Sequence, residues 1–390
     1  MNLAGVQLTG YRRADGRAGV RNHVLVMPLS YEVNQVAERI CAEAAGAVTF
    51  RHQHGIAQTG DDLAQTVRVF RGFATHPNVF GVVLVAWGGE PFDVQALAAE
   101  AEQAGKRVAL VSLRQAGGIR QAIAQGAAAA RAFLEARDRV RREPISLADI
   151  ILGTECGGSD ACSGISANPA LGVVSDMLVA AGGTSILAET TELIGAEHLL
   201  AARAASPDVA ERILYIVRRM EENAMHMGVD IRGAQPSPGN IEGGITTIEE
   251  KSLGCIHKGG TSPVREVVEY AERPREKGLV IMDTPGHDIE QATGMVAGGA
   301  QIIIFTTGRG TPTGSPIAPV IKVATNDFTY ERMRANIDFN CGGVIRGVET
   351  VEEAGRRLFQ TMIDVINGAL TQSERLGHRE FGIYRIGQSL

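Results

Sequence analysis

The chain is poor in the features on which several classes of protein depend. Its five cysteines include no Cys-x-x-Cys pair, which argues against a disulfide framework and a structural zinc site. Lys and Arg number 38 against 44 Asp and Glu, a formal net charge of −6, so no basic stripe is on offer to a nucleic-acid backbone. No apolar run approaches the roughly 18–20 residues that a membrane helix needs. The N-terminal residues lack the charged-then-apolar order of a secretory signal. There is no P-loop, no internal repeat and no low-complexity tract. The expectation is a cytoplasmic enzyme that meets neither membrane nor nucleic acid.

Glycine, by contrast, is abundant: 47 of 390 residues. It gathers in clusters with small polar residues rather than in linkers. The first cluster runs from Gly153 through Cys156, Gly157, Gly158, Ser159, Asp160, Ser163 and Gly164 to Asn168, directly after a mostly apolar stretch. A bare backbone lets amides, hydroxyls and a carboxylate converge on one small polar molecule. The texture returns at Gly239–Gly254, with Asn240, Glu242 and Lys251, at Lys258–Gly260, at Asp283–Asp288, and at Thr306-Thr307-Gly308-Arg309-Gly310. The last mimics a dinucleotide loop, but Pro312 and Pro316 oppose the helix that would hold a pyrophosphate.

Between residues 20 and 135 the pattern alternates strand and helix. Strands are expected at 23–29, 47–50, 79–86 and 107–113. Helices are expected at 32–45, 62–75, 91–105 and 118–142. In the first helix Val33, Val36, Ala37, Ile40, Cys41 and Ala44 make one apolar stripe, which assigns Cys41 to packing. The charged run 137–143 before Pro144 marks a boundary between domains 1–143 and 144–390. Beyond it, strands are expected at 147–152, 185–188, 278–282 and 301–306, and helices at 171–181, 209–227, 264–271, 289–297 and 351–368. This rhythm implies an α/β protein of two domains, each a mainly parallel, Rossmann-like sheet flanked by helices.

With these motifs in view, the chain resembles the altronate/galactarate dehydratases and the related sulfolactate sulfo-lyase large subunit. The resemblance rests on Gly10–Asn22, on Glu189-Thr190-Thr191-Glu192-Leu193-Ile194-Gly195-Ala196-Glu197-His198 and on the glycine clusters, and covers about nine-tenths of the chain. It implies β-elimination: loss of water or sulfite from a small 2-hydroxy acid to give a 2-oxo acid. Such a reaction needs a carboxylate clamp, a base for the α-proton, an acid or Lewis acid for the leaving group, and donors around the enediolate.

Arg309, between two glycines, is the expected clamp. Lys251 and Lys258 compete as the base if burial depresses an amine; Lys251 could instead pair with its acidic neighbours. His287 is a further acid/base candidate, and Asp160 is grouped with the catalytic residues. Cys156, Ser159, Ser163, Asn168, Asn240, Glu242, Thr306, Thr307, Lys322 and Asn326 are expected to bind substrate. Glu189, Glu192 and Glu197 are read either as base or ligand, or as an acidic helix start.

The resemblance also implies iron, held by cysteines just past the first three strands. The matching positions here are Glu32, Ile56 and Gly89, which disfavours an iron–sulfur cluster. A divalent metal, Fe2+ or in its place Mn2+, could be held instead by His52, His54, Glu32 and Glu90. The alternative is a metal-free lyase or a non-catalytic binding subunit. Sugar-acid dehydratases of this kind often carry a small β-rich domain upstream of the Gly10–Asn22 motif. The expected partners are therefore the hydroxy acid, a small β-rich subunit in trans and further copies of the chain.

Overall fold

The computed structural model describes residues 6–387. Two parallel sheets organise the chain, as the alternating pattern implied. The first has the order Ala47–Val48, His23–Pro28, Val79–Ala86, Arg107–Ser112, with every neighbour parallel. Successive side chains point to opposite faces, so Val24 and Val26 pack under helices Asn34–Glu43 and Ile119–Arg137. Leu25 and Met27 meet helices Gly60–Ala74 and Val94–Gln103 on the other side. Cys41 lies against the first of these layers, in keeping with a packing role.

The second sheet has seven parallel strands in the order Val264–Val268, Gly278–Met282, Thr184–Leu187, Ile151–Cys156, Ile302–Thr307, Val320–Ala324, Phe339–Asn340. From Ile151–Cys156 the chain winds outward to Thr184–Leu187 on one side. It later returns on the other side as Ile302–Thr307, with Cys156 opposite Thr306. The connections beyond these two central strands leave in opposite directions, which opens a crevice at their carboxyl ends.

Two elements depart from the sequence pattern. Residues 264–271 form the edge strand Val264–Val268, not a helix. The apolar spacing 264, 267, 268, 271 fits a helix face as well as a strand, and pairing with Gly278–Met282 decides the matter. The expected strand at 147–152 begins later. Ser146 and Asp149 cap a single 3-10 turn, and the strand runs Ile151–Cys156, which carries Glu155 and Cys156 into the sheet. A third, antiparallel sheet of Ala18–Gly19, Leu8–Arg12 and Glu143–Ile145 was not legible in the pattern.

The two units share apolar contacts. Helix Gly60–Ala74 packs against helix Asp288–Ala297 so closely that a Cβ on Gly72 would lie 2.2 Å from the Ala297 carbonyl oxygen. Near the C-terminus, Phe381 stacks on Phe50 of the first unit with ring centroids 3.8 Å apart. Among the described residues no helix is long and apolar enough to cross a membrane.

Candidate active site

Glycine-rich segments gather at the crevice because each follows a strand of the second sheet or caps its end. Gly157–Gly164 leaves Ile151–Cys156, Gly308–Gly310 leaves Ile302–Thr307, and Asn326 follows Val320–Ala324. Asp160 lashes them together: it accepts from Ser163 Oγ (2.9 Å), Thr325 Oγ1 (3.0 Å) and Asn326 Nδ2 (2.9 Å). With its oxygens so occupied, Asp160 organises loops. Asn240 Nδ2 donates to the Ser159 carbonyl (3.0 Å). Asn168 spans the crevice, accepting from Thr306 Oγ1 (2.6 Å) and donating to the Gly254 carbonyl (3.1 Å). Thr307 Oγ1 accepts from the Gly310 amide (2.9 Å).

Beneath these loops lies a buried charged group. Lys258, with no exposed surface, places Nζ 2.7 Å from Glu189 Oε2 and 3.1 Å from Glu192 Oε2. Lys251, on helix Ile248–Cys255, reaches Glu192 Oε1 from the other side at 3.2 Å. Burial opposes charge on both lysines, yet the carboxylates beside them outweigh it and raise both above the ordinary lysine value. Burial likewise opposes ionisation of Glu192, but Lys258 and Lys251 hold its carboxyl at about 2. The depressed amine that a lysine base requires is therefore not what forms here: both lysines stand as paired ammonium groups.

Glu189 adopts φ 66°, left-handed for a residue with a side chain, held by its amide's bond to Thr284 Oγ1 (2.8 Å). Glu155 lies beside it, fully buried, and neither carboxylate oxygen has a hydrogen-bond partner among the described residues. Burial, reinforced by Glu189 and Asp288, pushes the Glu155 carboxyl well above its usual range. Cys156 Sγ contacts Ser159 Oγ at 2.7 Å. Its thiol is drawn down to about 6, chiefly by a hydrogen bond with Cys255 and against burial, with Lys258 assisting.

A cavity of about 220 Å³ opens above this group, lined by Ser159, Ser163, Asn168, Lys251, Cys255 and His257 among others. A wider crevice of about 850 Å³ holds Asp160, Glu242, Asp288, Arg309 and Asn326 on its walls. Arg309 is half exposed there, 3.7 Å from Glu242. Two candidates lie elsewhere: Lys322 meets His378 (Nζ–Nδ1 3.4 Å), and the exposed His287 faces Glu290 at 3.5 Å. Glu197 starts a short helix and accepts from the Gly195 amide.

Nor does the structure gather His52, His54, Glu32 and Glu90. His52 Nε2 bonds to the Pro28 carbonyl and its Nδ1 to the His54 amide. His54 Nε2 bonds to the Ile383 carbonyl, and Glu90 folds onto the amides of Trp87, Gly88 and Gly89. Among the described residues, three His, Cys, Asp or Glu donors within 4.8 Å of one another occur in two groups, both in the second unit. One is Glu155, Glu189 and Asp288; the other is Cys156, Glu192 and Cys255. Either could hold a divalent metal. Glu155, Cys255, His257 and Asp288 were not singled out from the sequence. A carboxylate inside the apolar strand Ile151–Cys156 is the signal that could have found the first.

A doubly wound sheet with paired ammonium and carboxylate groups at its switch point is an enzyme scaffold of the α/β class. Residues 147–389 match the family model described as D-galactarate/altronate dehydratase, C-terminal. Residues 10–138 match the one described as D-galactarate dehydratase/altronate hydrolase, second domain. The chain belongs to this family. It is 38% identical to (2R)-sulfolactate sulfo-lyase subunit beta of Chromohalobacter salexigens, over 100% of both chains. It is 36% identical to altronate dehydratase of Bacillus subtilis, over 98% of this chain and 78% of that one. Galactarate dehydratase (L-threo-forming) of Escherichia coli is 34% identical, over 98% and 77%. The chain is thus a lyase, of the hydro-lyase or carbon–sulfur kind.

Proposed function

We propose that the chain catalyses β-elimination from a small 2-hydroxy acid such as an aldonate, an aldarate or sulfolactate. A proton leaves C2, water or sulfite leaves C3, and the resulting enol takes a proton at C3 to become the 2-oxo acid. The observation that carries this reading is the pair of ammonium groups, Lys251 and Lys258, kept charged by Glu189 and Glu192 under a 220 Å³ cavity. Prearranged cations at this depth stabilise the two negative oxygens of an enediolate without reorganising. The cavity suits a substrate well below drug size.

Lys251, on the cavity wall, serves as a fixed cation facing the substrate, with Lys258 behind it. Arg309 clamps a carboxylate from the crevice wall. The proton acceptor we favour is His257, at the exposed rim of the same cavity, where partial desolvation and Arg203 lower it below the usual histidine value. The two donor groups fit a divalent metal, with Fe2+ the form that the family resemblance implies; bound, it would polarise oxygens of the substrate. The full-length likeness to a protein named subunit beta supports a small partner subunit in trans. A homo-oligomer acting in the cytoplasm completes the reading.

The test is incubation of the chain in D2O with representative aldonates, aldarates and sulfolactate, with and without a small subunit, followed by proton NMR. Formation of a 2-oxo acid from one class, with deuterium at C3, is expected. Thermal stabilisation by these acids with neither product nor exchange at C2 would instead identify a binding subunit.

A further inference from the structure

The wide crevice carries more free positive charge than one carboxylate needs. Two guanidinium groups, Arg309 and Arg332, stand on its walls, and the surrounding chain fixes the backbone of both. Arg309 belongs to the turn Gly308–Gly310 and is seated against Gly239, where a Cβ would lie 1.8 Å from its Nη1. Arg332 ends the helix Asp327–Arg332, which Asn326 caps by accepting from the Thr329 amide (2.9 Å). Thr329 Oγ1 in turn donates to the Gly308 carbonyl. At Gly310 (φ 87°) a Cβ would lie 2.0 Å from Met333 Sδ, so glycine lets the end of that helix settle on the turn. The two arginines are thereby held in one frame.

The neighbouring charges are paired elsewhere. Glu331 meets Arg334 at 3.7 Å, and Asp327 meets Arg346. Arg332 has neither hydrogen bond nor ion pair among the described residues; its guanidinium lies over the ring of Phe328, 5.9 Å from the centroid. That ring also lines the crevice and is 73% exposed. A planar guanidinium resting on an aromatic face keeps its edge N–H groups free for an oxyanion. Nor do the acids of the crevice neutralise it. Asp160 is occupied by Ser163, Thr325 and Asn326, and Asp288 turns to Glu155 and Glu189. Glu242, its side chain 79% exposed, stands 3.7 Å from Arg309, and an exposed pair of that kind contributes little.

We propose that Arg332 is a second anion-binding residue and that the chain selects a hydroxy acid with an anion at each end. The proposal rests on the lyase reading: Arg309 holds the reacting carboxylate, and Arg332 takes a carboxylate or sulfonate at the far end, either of which offers a guanidinium two oxygens. An aldarate or sulfolactate meets that description. An aldonate, whose far end is a hydroxyl, leaves Arg332 unused. A crevice of about 850 Å³ has room for both ends.

The full chain, with a small subunit where one is required, is assayed on a six-carbon aldarate, the aldonate of the same configuration, and sulfolactate. One of the two dianions should show a kcat/KM at least about tenfold above the aldonate, and which one does so tells carboxylate from sulfonate. Arg332→Gln should cut that preference by about tenfold or more, through KM. Arg332→Lys, which keeps the charge without the fork, should retain part of it. Because Arg332 is exposed, both variants should melt with the parent.

Preference for the aldonate, a parental preference in Arg332→Gln, or an equal loss on all three acids in that variant overturns the proposal and leaves the lyase standing. Should no acid turn over, the lyase reading fails, and calorimetry of the same three acids decides. Tighter binding of the dianions, weakened in Arg332→Gln, upholds the proposal; equal or absent binding overturns it.

Discussion

Replacing Lys258 by methionine removes the one cation that touches both Glu189 and Glu192, at 2.7 and 3.1 Å, in a place with no solvent. Methionine fills a similar volume, so packing changes little and the effect isolates the charge. Glu192 keeps Lys251 at 3.2 Å, whereas Glu189 is left without a counter-ion. Removing one partner of a buried pair typically costs about 3–5 kcal/mol, because the other charge stays behind uncompensated. The lower part of that range is expected here, since burial and Glu192 already push the Glu189 carboxyl well above its usual range and a stranded Glu189 can take up a proton. The assay is urea denaturation of EDTA-treated protein at neutral pH, followed by far-ultraviolet circular dichroism. In the Lys258→Met background, Glu189→Gln should recover most of the loss, as the stranded charge is then gone. A loss below about 1 kcal/mol, or no recovery in the double variant, would refute the claim that this ion pair is charged and holds the site together.

Arg309→Ala should raise KM for the hydroxy acid about tenfold or more, as expected for a lost charged hydrogen bond of about 1.5–3 kcal/mol; an unchanged KM rejects the clamp. Gly72→Ala forces a Cβ to 2.2 Å from the Ala297 carbonyl oxygen and should destabilise the chain by about 1–3 kcal/mol, seen as a lower melting temperature, while Gly60→Ala would not report on this contact. Burial lowers His52 to about 4 and His76 well below the ordinary value. The unfolded chain takes up protons near pH 6.5 while the folded one resists, so stability falls as pH drops from about 6.5 towards 4. His52 alone accounts for up to about 3 kcal/mol of that fall. Urea midpoints at pH 7 and 5 test it; equal midpoints would show that these histidines are not held neutral by the fold.

The alternation of strands and helices was legible because its signals are local: runs of Val, Ile and Leu, apolar stripes at helical spacing, and glycines where strands end. The same glycines mark the loops that line the crevice, where Thr306 Oγ1 donates to Asn168 and Asn240 Nδ2 donates to the Ser159 carbonyl. Long-range pairings left no such mark. Nothing near Leu8–Arg12 announces that Glu143–Ile145 will lie beside it. The apolar spacing of 264–271 satisfied two geometries, and only a neighbouring strand chose between them. For the lysines, sequence supplied the residues but not the sign of the perturbation. Desolvation lowers an amine and a facing carboxylate raises it, and which wins depends on Glu189 and Glu192, which lie 69 and 66 positions before Lys258.

The stacking of Phe381 on Phe50, with Gln53 and His54 both bonded to the Ile383 carbonyl, bears on how the molecule is made. Ribosomes release the N-terminal unit first, and such units begin folding as they emerge. Here that unit waits for a piece of chain synthesised more than three hundred residues later before its aromatic layer is sealed. Translation thus passes through a long interval in which the Phe50 face stays open to water, and an interrupted or C-terminally nicked product would keep it open. Quality-control machinery that reads exposed aromatic surface would find incomplete molecules by this face.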